Sequence, residues 1–420
     1  MVERRKPIPV REAVSRVMAH VTALGQETVP ISDSYGRILA EAIVGRHDVP
    51  LCHRSAYDGF AIRSEDSTRA AEHNRILFHV MGHLGAGDLA SRELQRGEAV
   101  RIMTGAAMPR KADAVVMLEQ AQTSERGDSF TIRRPYAHME NVSLQGEDAK
   151  TGEVLVEQGT VIHPGTVALL ATFGYAKVRV AAKPVVGVIS TGSELLEAEE
   201  PLRPGKIRNS NGPMVAAQLA RMGIPSRSYG KVKDDIPSCC EAVQRAIEET
   251  DCVVTTGGVS VGDYDYLPEI YERLGAKVLF NKVAMRPGSV TTVAVRNKTF
   301  LFGLSGNPSA CFTGFELLVR PALLSMMGCA KPYLPYTEAV LLEDFRKEDS
   351  FRHFVRAIYR YNGAQATIKP AGSHKSNAVR SIARGNAFMI LPGEANHFRK
   401  GAKVGVLLLG MEEGEGEMRL

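Results

Sequence analysis

The sequence predicts a multidomain protein that combines one parallel α/β domain with modules made mostly of β-strands. Three observations support this fold class. The chain has 420 residues, which is enough for about three domains. Apolar strands alternate with helical segments over residues 183–332. Short strands broken by turns fill residues 51–148 and 334–420.

The composition is that of a folded globular protein and excludes several classes of function. Hydrophobic residues make up 44% of the chain and charged residues 24%. A net charge of +5 is too small to indicate nucleic-acid binding. No apolar run reaches the roughly 18 residues of a membrane span, and no apolar segment of a secretory signal follows the basic start. We expect a cytoplasmic protein that binds neither nucleic acid nor a membrane.

The cysteines and histidines do not indicate a metal site. The six cysteines include no Cys-x-x-Cys pair, so their spacing suits neither a zinc site nor a disulfide framework, and we expect reduced thiols. His79 and His83 are four residues apart, but Gly82 and Gly85 disrupt a helical metal face. We expect a surface pair.

The first half of the chain frames a β-rich module. Val14, Val17 and Val21 recur at helical spacing, which predicts an amphipathic helix over residues 11–24. A strand-like segment at 29–31 precedes the module, and a helix at 166–171 and a strand at 177–180 follow it. Within the module the predicted strands are 75–80, 99–102 and 114–117.

The second half begins with a strand buried on both faces, because residues 185–189 are continuously apolar. Helices and strands then alternate, which predicts a parallel sheet that binds ligands at the carboxyl ends of its strands. The predicted elements are helix 213–222, strand 226–232, helix 239–249, strand 251–255, helix 267–274, two further strands and helix 308–327. Five short strands over 338–342, 354–361, 366–369, 387–391 and 404–409 then suit a small β-barrel or sandwich.

Polar, glycine-rich segments follow three of these strands. They are Ser-Thr-Gly-Ser-Glu at 190–194, the segment 255–265, and Gly-Leu-Ser-Gly-Asn-Pro at 303–308. Three such loops at one sheet edge predict a binding crevice. In the last loop Asn307 is placed to cap a helix whose first residue is Pro308. Free N–H groups at such a helix start favour phosphate or another oxyanion.

The segment 258–262, Gly-Val-Ser-Val-Gly, also fits the nucleophile elbow of hydrolases. An elbow continues directly into a helix, whereas residues 263–267 intervene here. No downstream His has the context of a catalytic triad. Hydrolase chemistry is therefore disfavoured.

Charged side chains cluster in the same loops. Carboxylates at one sheet edge beside phosphate donors suit Mg²⁺ held partly by substrate oxygens, although each could equally be solvated surface. The carboxylates are Glu194, Asp234, Asp235, Asp263 and Asp265. Lys282 and Arg286 precede Pro-Gly, so they belong to a loop that can direct two cations at one anion.

Six motifs resemble the molybdopterin molybdenumtransferases, that is, MoeA and the gephyrin E domain, and the match runs in order from about residue 8 to 410. They are Ser-Ala-Tyr-Asp-Gly-Phe-Ala at 55–61, Arg-Ile-Met-Thr-Gly-Ala at 101–106, Gly-Glu-Asp at 146–148, Ser-Thr-Gly-Ser-Glu-Leu at 190–195, Thr-Gly-Gly-Val-Ser-Val-Gly at 256–262 and Gly-Leu-Ser-Gly-Asn-Pro at 303–308. Six motifs in order are highly specific.

The resemblance implies four domains and a homodimer. Residues 1–26 and 183–332 would form an α/β domain similar to the MogA fold. Residues 27–49 and 150–182 would form a linking domain made of two segments, 50–149 an inserted β-rich domain and 333–420 a C-terminal β-barrel. Members form elongated dimers in which the inserted domain of one subunit faces the α/β domain of the other.

The resemblance also implies the reaction. Members take adenylylated molybdopterin, consume molybdate, and release AMP and molybdenum cofactor with Mg²⁺ present. The implied partners are the MogA-type adenylyltransferase and downstream molybdenum-cofactor proteins.

Roles follow position by position. The implied catalytic residues are Asp58, Thr104, Asp148, Glu194, Asp234, Asp265 and Lys282, of which Glu194, Asp234 and Asp265 would serve Mg²⁺. The implied substrate-binding residues are Gly257, Gly258, Ser260, Arg286, Ser305, Gly306, Asn307, Arg352 and Ser373.

The chain departs from the family pattern at one basic motif. The usual Lys-Pro-Gly-Lys-Pro is Arg-Pro-Gly-Ser-Val at 286–290, so Arg286 keeps the first charge and Ser289 loses the second. This loss leaves open a non-catalytic pterin-binding or scaffolding protein. The upstream adenylyltransferase is a further alternative, but that activity resembles the α/β domain alone.

Overall fold

The computed structural model describes residues 6–233, 235–257 and 267–410. The chain divides into two compact units. The first comprises Met1–Ala40, Gln158–His163 and Lys177–Leu420, and the second comprises Glu41–Glu157 and Pro164–Ala176. The alternating helices and strands and the C-terminal strands belong to the first unit. The segment predicted as the β-rich module supplies most of the second.

The first unit is built around a six-stranded sheet. In spatial order its strands are Ser226–Val232, Val186–Thr191, Cys252–Thr256, Thr299–Leu304, Thr292–Arg296 and Lys277–Phe280. Five strands share one direction, and Thr292–Arg296 is antiparallel to both of its neighbours. A two-residue turn, in which Asn297 takes a left-handed φ of 56°, joins it to the next strand. The predicted parallel arrangement therefore holds except for the strand that this hairpin reverses.

Helices cover both faces of the sheet with apolar side chains. Helix Ile236–Glu249 illustrates why they form: Asp235 accepts a hydrogen bond from the first turn, and Cys239, Val243 and Ala246 bury one stripe. The other helices are Val10–Met18, Asn211–Arg221, Leu267–Arg273 and a long helix over residues 308–326, in which Pro308–Gly314 and Arg320–Met326 flank a π-helical turn at Phe315–Val319.

The C-terminal segment closes into a five-stranded barrel, as predicted. The strands in order around it are Arg352–Tyr361, Ala366–Pro370, Tyr336–Leu341, Lys403–Leu408 and Ala387–Leu391, which pairs back onto the first. Val355 and Ala357 pack inside the barrel. Phe354, on the opposite side of the same strand, packs with the core of the α/β sheet. The barrel therefore shares an apolar contact with the α/β sheet.

A short strand, Met285–Arg286, connects the α/β sheet to the barrel, and we call it the seam strand. It pairs in parallel with the first two residues of strand Arg352–Tyr361. The rings of Phe312, in the long helix, and Phe388, in the barrel, lie 5.9 Å apart between centroids. The position of Arg286 is therefore fixed by both parts of the unit.

Smaller elements complete the first unit. Strand Gln26–Pro30 pairs with Lys177–Ala181, Leu195–Leu196 with Ile207–Arg208, and Phe345–Arg346 with His397–Phe398, and there is a short helix at Arg380–Arg384 and a 3-10 turn at Ile31–Asp33. The predicted strand at 177–180 and the predicted strand-like segment at 29–31 therefore pair with each other.

The second unit contains a separate six-stranded sheet. Its strands in spatial order are Ala114–Met117, Gly59–Ile62, Glu98–Ile102, Ile76–Leu84, Ser129–Ile132 and Gln122–Thr123. Phe60 and Phe78 stack on Phe130 at centroid distances of 4.1 and 5.4 Å and form the centre of its core. The unit also contains strand pairs Arg54–Ser55 with Val142–Ser143 and Ile43–Val44 with Val154–Val156, helix Pro164–Thr172, and 3-10 turns at Ser64–Ser67 and Leu118–Gln120.

The histidine pair lies at the surface, as the sequence predicts. His79 and His83 both lie exposed on strand Ile76–Leu84 rather than on a helix. All six cysteines are free, and burial raises the pKa of the Cys311 thiol in the long helix. Within the described ranges, no helix has the length and apolar character needed to cross a membrane.

Candidate active site

Two of the three predicted strand-end loops meet at Gly257. Its N–H donates to the carbonyl of Leu304 at 3.1 Å. A Cβ placed on Gly257 would lie 2.4 Å from the carbonyl oxygen of Thr191, and the residue has a left-handed φ of 94°. The loop after strand Cys252–Thr256 therefore lies directly against the end of strand Val186–Thr191, and only glycine permits this contact.

The third loop joins the same place at Gly306. A Cβ on Gly306 would lie 3.5 Å from the Cα of Gly257. The side chain of Asn211, which is 6% exposed, donates from Nδ2 to the carbonyl of Gly306 at 2.8 Å. Its Oδ1 is buried and has no hydrogen-bond partner among the described residues. The predicted convergence of the three loops at one sheet edge is therefore present in the fold.

The start of the long helix carries fewer free N–H groups than the sequence predicts. Asn307 takes the N-cap position and Pro308 follows it, but the Asn307 side chain makes no capping hydrogen bond. The N–H of Asn307 donates to Ser305 Oγ at 3.2 Å, and the N–H of Ser309 donates to the carbonyl of Ser376 at 3.0 Å. The N–H groups of Asn307 and Ser309, which the sequence analysis offered to an oxyanion, therefore already donate hydrogen bonds to other groups of the protein.

Arg286 is held on the seam strand by three neighbours. Its Nε donates to Asp349 Oδ2 at 2.8 Å, and its Nη1 donates to Ser289 Oγ at 2.6 Å. The guanidinium carbon lies 5.0 Å from the centre of the Phe351 ring. Nη2 has no hydrogen-bond partner in the described part of the chain. A fixed guanidinium with one free nitrogen is suited to an anion.

Asp349 stays ionised next to this guanidinium. Burial opposes its ionisation, but hydrogen bonds from Arg286 and His353 outweigh burial and hold the pKa of Asp349 below its usual range. The carboxylate of Asp349 therefore partly neutralises the guanidinium of Arg286, which the sequence analysis assigned to a bound anion. Sequence reasoning missed Asp349, because it lies 63 positions from Arg286 along the chain.

The other predicted cationic and polar residues of the first unit differ in exposure. Lys282 is half-buried and its backbone carbonyl accepts from Ile8 at 3.1 Å. Arg352 is exposed and its N–H donates to the carbonyl of Ala284 at 3.3 Å, next to the seam strand. Ser373 is exposed on the barrel loop at residues 371–379. Arg352 therefore lies next to the seam strand, whereas Ser373 lies on a barrel loop whose Ser376 carbonyl accepts a hydrogen bond from the start of the long helix.

The predicted carboxylates are only partly described. Glu194 is exposed, and its two carboxylate oxygens would lie 2.8 Å from a Cβ on Gly192. Asp235 serves as the N-cap of a helix. Three of the predicted carboxylates lie outside the described residues: Asp234, Asp263 and Asp265. The same is true of the Gly-Val-Ser-Val-Gly segment at 258–262, which includes Gly258 and Ser260. Among the described residues no group of three His, Cys, Asp or Glu side chains could hold a metal ion.

In the second unit, Asp58 and Thr104 contact each other directly. The N–H and the hydroxyl of Thr104 donate to Asp58 Oδ1 at 2.7 and 2.9 Å. These two hydrogen bonds, the backbone one first, hold the pKa of Asp58 below its usual range. Asp148 is exposed, and its N–H donates to the carbonyl of Val49 at 3.0 Å.

Removing the hydroxyl of Thr104 tests this contact. We expect Thr104→Val to raise the pKa of Asp58 part of the way to its usual value, because the backbone hydrogen bond remains. Titration of the Asp58 carboxyl by NMR measures the shift. Thr131→Val, on another strand of the same sheet, is the matched control and should leave the midpoint unchanged. A midpoint unaffected by Thr104→Val would contradict the assigned contact.

Comparison with known families and proteins accounts for nearly all of the chain. Residues 8–174 match the model of the MoeA N-terminal region (domain I and II). Residues 187–325 match the probable molybdopterin binding domain, and residues 338–409 match the MoeA C-terminal region (domain IV). The chain is 51% identical over 420 residues to the molybdopterin molybdenumtransferase of Staphylococcus aureus strain Mu50, covering 100% of both chains. The chain belongs to the molybdopterin molybdenumtransferase family.

Further relatives agree with this assignment. The molybdopterin molybdenumtransferase of Staphylococcus epidermidis is 50% identical over 419 residues, covering 100% of both chains. The crystal structure of a molybdopterin biosynthesis MoeA protein from Pyrococcus horikoshii OT3 superposes with a TM-score of 0.82 at 32% identity, and the match covers 96% of this chain and 100% of that one. The family's members are transferases of molybdenum cofactor biosynthesis, so the chain is an enzyme of that class.

Membership of this family makes the contact between Arg286 and Ser289 informative. Both residues stand where the resemblance described above implies lysines, and Arg286 Nη1 donates to Ser289 Oγ at 2.6 Å. Ser289 is 7% exposed, so a lysine there would bury its stem beside a second cation. Ser289 therefore contacts Arg286 directly and, with Asp349, holds its guanidinium.

Proposed function

We propose that the chain inserts molybdenum from molybdate into adenylylated molybdopterin, releasing AMP and molybdenum cofactor in an Mg²⁺-dependent reaction. One observation carries this proposal: the start of the long helix lies beside the described parts of three segments assigned to substrate. Gly306 lies against Gly257, a Cβ on Gly288 would lie 3.2 Å from the carbonyl of Ala310, and Ser309 donates to Ser376. The strand-end loops, the seam strand and the barrel loop therefore border one helix start.

The seam strand would provide the oxyanion contacts. Molybdate is a tetrahedral dianion, and the free Nη2 of Arg286 is suited to one of its oxygens. The exposed side chains of Arg352 and Ser373 would contribute from the barrel. Lys282 would lie nearer the phosphates, where positive charge offsets the charge that develops on departing AMP.

The strand-end loops would hold the adenylylated pterin. Gly257, where a Cβ would collide with the carbonyl oxygen of Thr191, and Gly306 beside it would leave backbone N–H groups accessible to phosphate oxygens. Ser305 and Asn307 flank Gly306 in the chain and would contribute to the same surface. Gly258 and Ser260, which only the sequence assigns to substrate, would contribute from the loop after Gly257. Asn211 would keep this surface in place through its bond to Gly306.

Glu194 fits a magnesium ion that is held mainly by substrate. Its carboxylate is exposed, makes no hydrogen bond or ion pair with a described residue, and lies at the edge of the sheet. Mg²⁺ usually keeps several waters and takes one or two carboxylates together with substrate phosphates. Asp234 and Asp265 would be the further ligands. The ion would neutralise charge on the pyrophosphate while Glu194 holds its position.

The test is incubation of the purified chain with adenylylated molybdopterin, Mg²⁺ and molybdate, with AMP and active cofactor measured together. We expect both products only when all three components are present. AMP release that is independent of molybdate, or pterin binding with no AMP, would overturn the proposal. Pterin binding with no AMP is the outcome that a non-catalytic scaffold predicts.

The functional enzyme is proposed to be a homodimer with a site shared between subunits. Asp58, Thr104 and Asp148 belong to the second unit, whereas the other predicted site residues belong to the first. In members of this family the inserted domain is expected to face the partner's α/β domain. The substrate would come from a MogA-type adenylyltransferase, and the product would pass to downstream cofactor proteins.

Subunit mixing tests the shared site. A dimer that pairs an Asp58→Ala chain with a Glu194→Ala chain should recover part of the activity, because one of its two sites keeps both carboxylates. Activity is measured on heterodimers purified with two different affinity tags, with each homodimeric variant as control. Heterodimers as inactive as both homodimers would show that each subunit carries a complete site.

A further inference from the structure

Among the described residues, Arg356 has the largest side chain that is almost completely buried, with 1% of it exposed. It lies in the middle of barrel strand Arg352–Tyr361, on the same side as Phe354 and opposite the barrel interior. No described carboxylate lies within ion-pair distance of its guanidinium. A buried positive charge without a counter-charge is costly, and burial lowers the pKa of Arg356 to about 10.

The guanidinium is directed at the barrel loop at residues 371–379. Nη2 donates to the carbonyl of Lys375 at 3.1 Å and to that of Ser373 at 3.3 Å. Nε donates to Ser381 Oγ at 3.3 Å, just after the loop. Nη1 is buried with no hydrogen-bond partner among the described residues. Arg356 therefore replaces the water that the carbonyls of an ordinary surface loop would bind.

The same loop is held from its other side by the long helix. The N–H of Ser309 donates to the carbonyl of Ser376 at 3.0 Å, and its hydroxyl donates to the carbonyl of Ala378. Four loop carbonyls are thus bound by only two residues, one in the barrel and one at the helix start. The side chains of Ser373 and Lys375 remain exposed.

We propose that Arg356 is a positioning residue that fixes the barrel loop so that Ser373 faces the oxyanion. The inference rests on the proposed function, because Ser373 is assigned to the oxyanion only there. Arg356 itself touches no substrate. Its role is to hold the loop in one conformation before the anion arrives, so that binding does not have to order it.

The test compares Arg356→Met and Arg356→Lys with Val355→Ala. Methionine has a similar length and is cheaper to bury, so the barrel should fold, but it cannot hold the carbonyls. We expect Arg356→Met to raise the half-saturating molybdate concentration about 10-fold, the equivalent of one lost hydrogen bond to a charged group. The turnover rate at saturating molybdate should change less than about 3-fold. Arg356→Lys should lie between Arg356→Met and the unaltered chain.

A second readout does not depend on activity. Amide hydrogen exchange over residues 372–379 should rise in Arg356→Met. Val355→Ala, which faces the barrel core, should lower thermal stability without changing that exchange or the molybdate dependence. Unchanged loop exchange, or an equal effect of Val355→Ala, would overturn the positioning role. If the unaltered chain fails to insert molybdenum while loop exchange still rises in Arg356→Met, the proposed function fails and the structural clamp remains.

Discussion

Arg286→Ala should raise the molybdate concentration needed for half-maximal AMP release by about 10- to 100-fold. A hydrogen bond to a charged group is worth roughly 1.5–3 kcal/mol, and each ~1.4 kcal/mol corresponds to a factor of ten. The Nε and Nη1 groups already serve Asp349 and Ser289, so the loss reflects the free Nη2 and the charge. Affinity for the adenylylated pterin, measured separately, should change much less.

Two further variants separate this role from a general loss of charge. Arg286→Lys should restore much of the molybdate dependence, because the family pattern has lysine there and an ammonium can still pair with Asp349. Arg360→Ala removes an exposed cation from the far end of the neighbouring strand and should have no effect. Molybdate dependence that is unchanged in Arg286→Ala, or an equal loss of pterin affinity, would remove Arg286 from the oxyanion site.

Gly59→Ala should destabilise the sheet of the second unit by about 3 kcal/mol or more, at the upper end of what overpacking costs. A Cβ at this position would lie 2.1 Å from the carbonyl oxygen of Val116 on the paired strand. That carbonyl belongs to the sheet backbone, so the two strands would have to separate. Because Asp58 precedes Gly59, the contact between Asp58 and Thr104 should weaken as well.

Native-state hydrogen exchange of strands Gly59–Ile62 and Ala114–Met117 measures the local loss, since a multidomain chain does not unfold in a single step. Gly127→Ala is the matched control in the same unit. Gly127 has a φ of 70° and open space around it. Alanine there should therefore destabilise the unit by only about 1 kcal/mol, the cost of placing a side chain in the left-handed conformation. A Gly59→Ala effect no larger than that of Gly127→Ala would contradict the close approach of the two strands.

The order of helices and strands could be predicted from local patterns. The apolar run at 185–189 became strand Val186–Thr191 with every residue buried, and residues 226–232 were predicted to the residue. These elements depend on period and burial, which neighbouring residues determine. The reversed strand Thr292–Arg296 was not predicted, because its direction depends on the conformation of Asn297 in a two-residue turn.

The site could be predicted as far as its loops but not as far as its contacts. Gly257 and Gly306 follow strands, so a rule about sheet edges brings them together. Asp349 meets Arg286 only once the barrel packs on the seam strand, and Arg356 meets the carbonyl of Ser373 only once the barrel strands have paired. The sequence does contain a signal at Arg356, because an arginine between apolar strand residues predicts a buried charge that needs partners.

The most direct test of the account is a single-turnover experiment with enzyme in excess over adenylylated molybdopterin. We expect one AMP released and one molybdenum atom retained in active cofactor for each pterin consumed, with no AMP released when molybdate or Mg²⁺ is omitted. AMP release without molybdenum incorporation, or stoichiometric pterin binding with neither product, would contradict the assignment of molybdenum insertion to this chain.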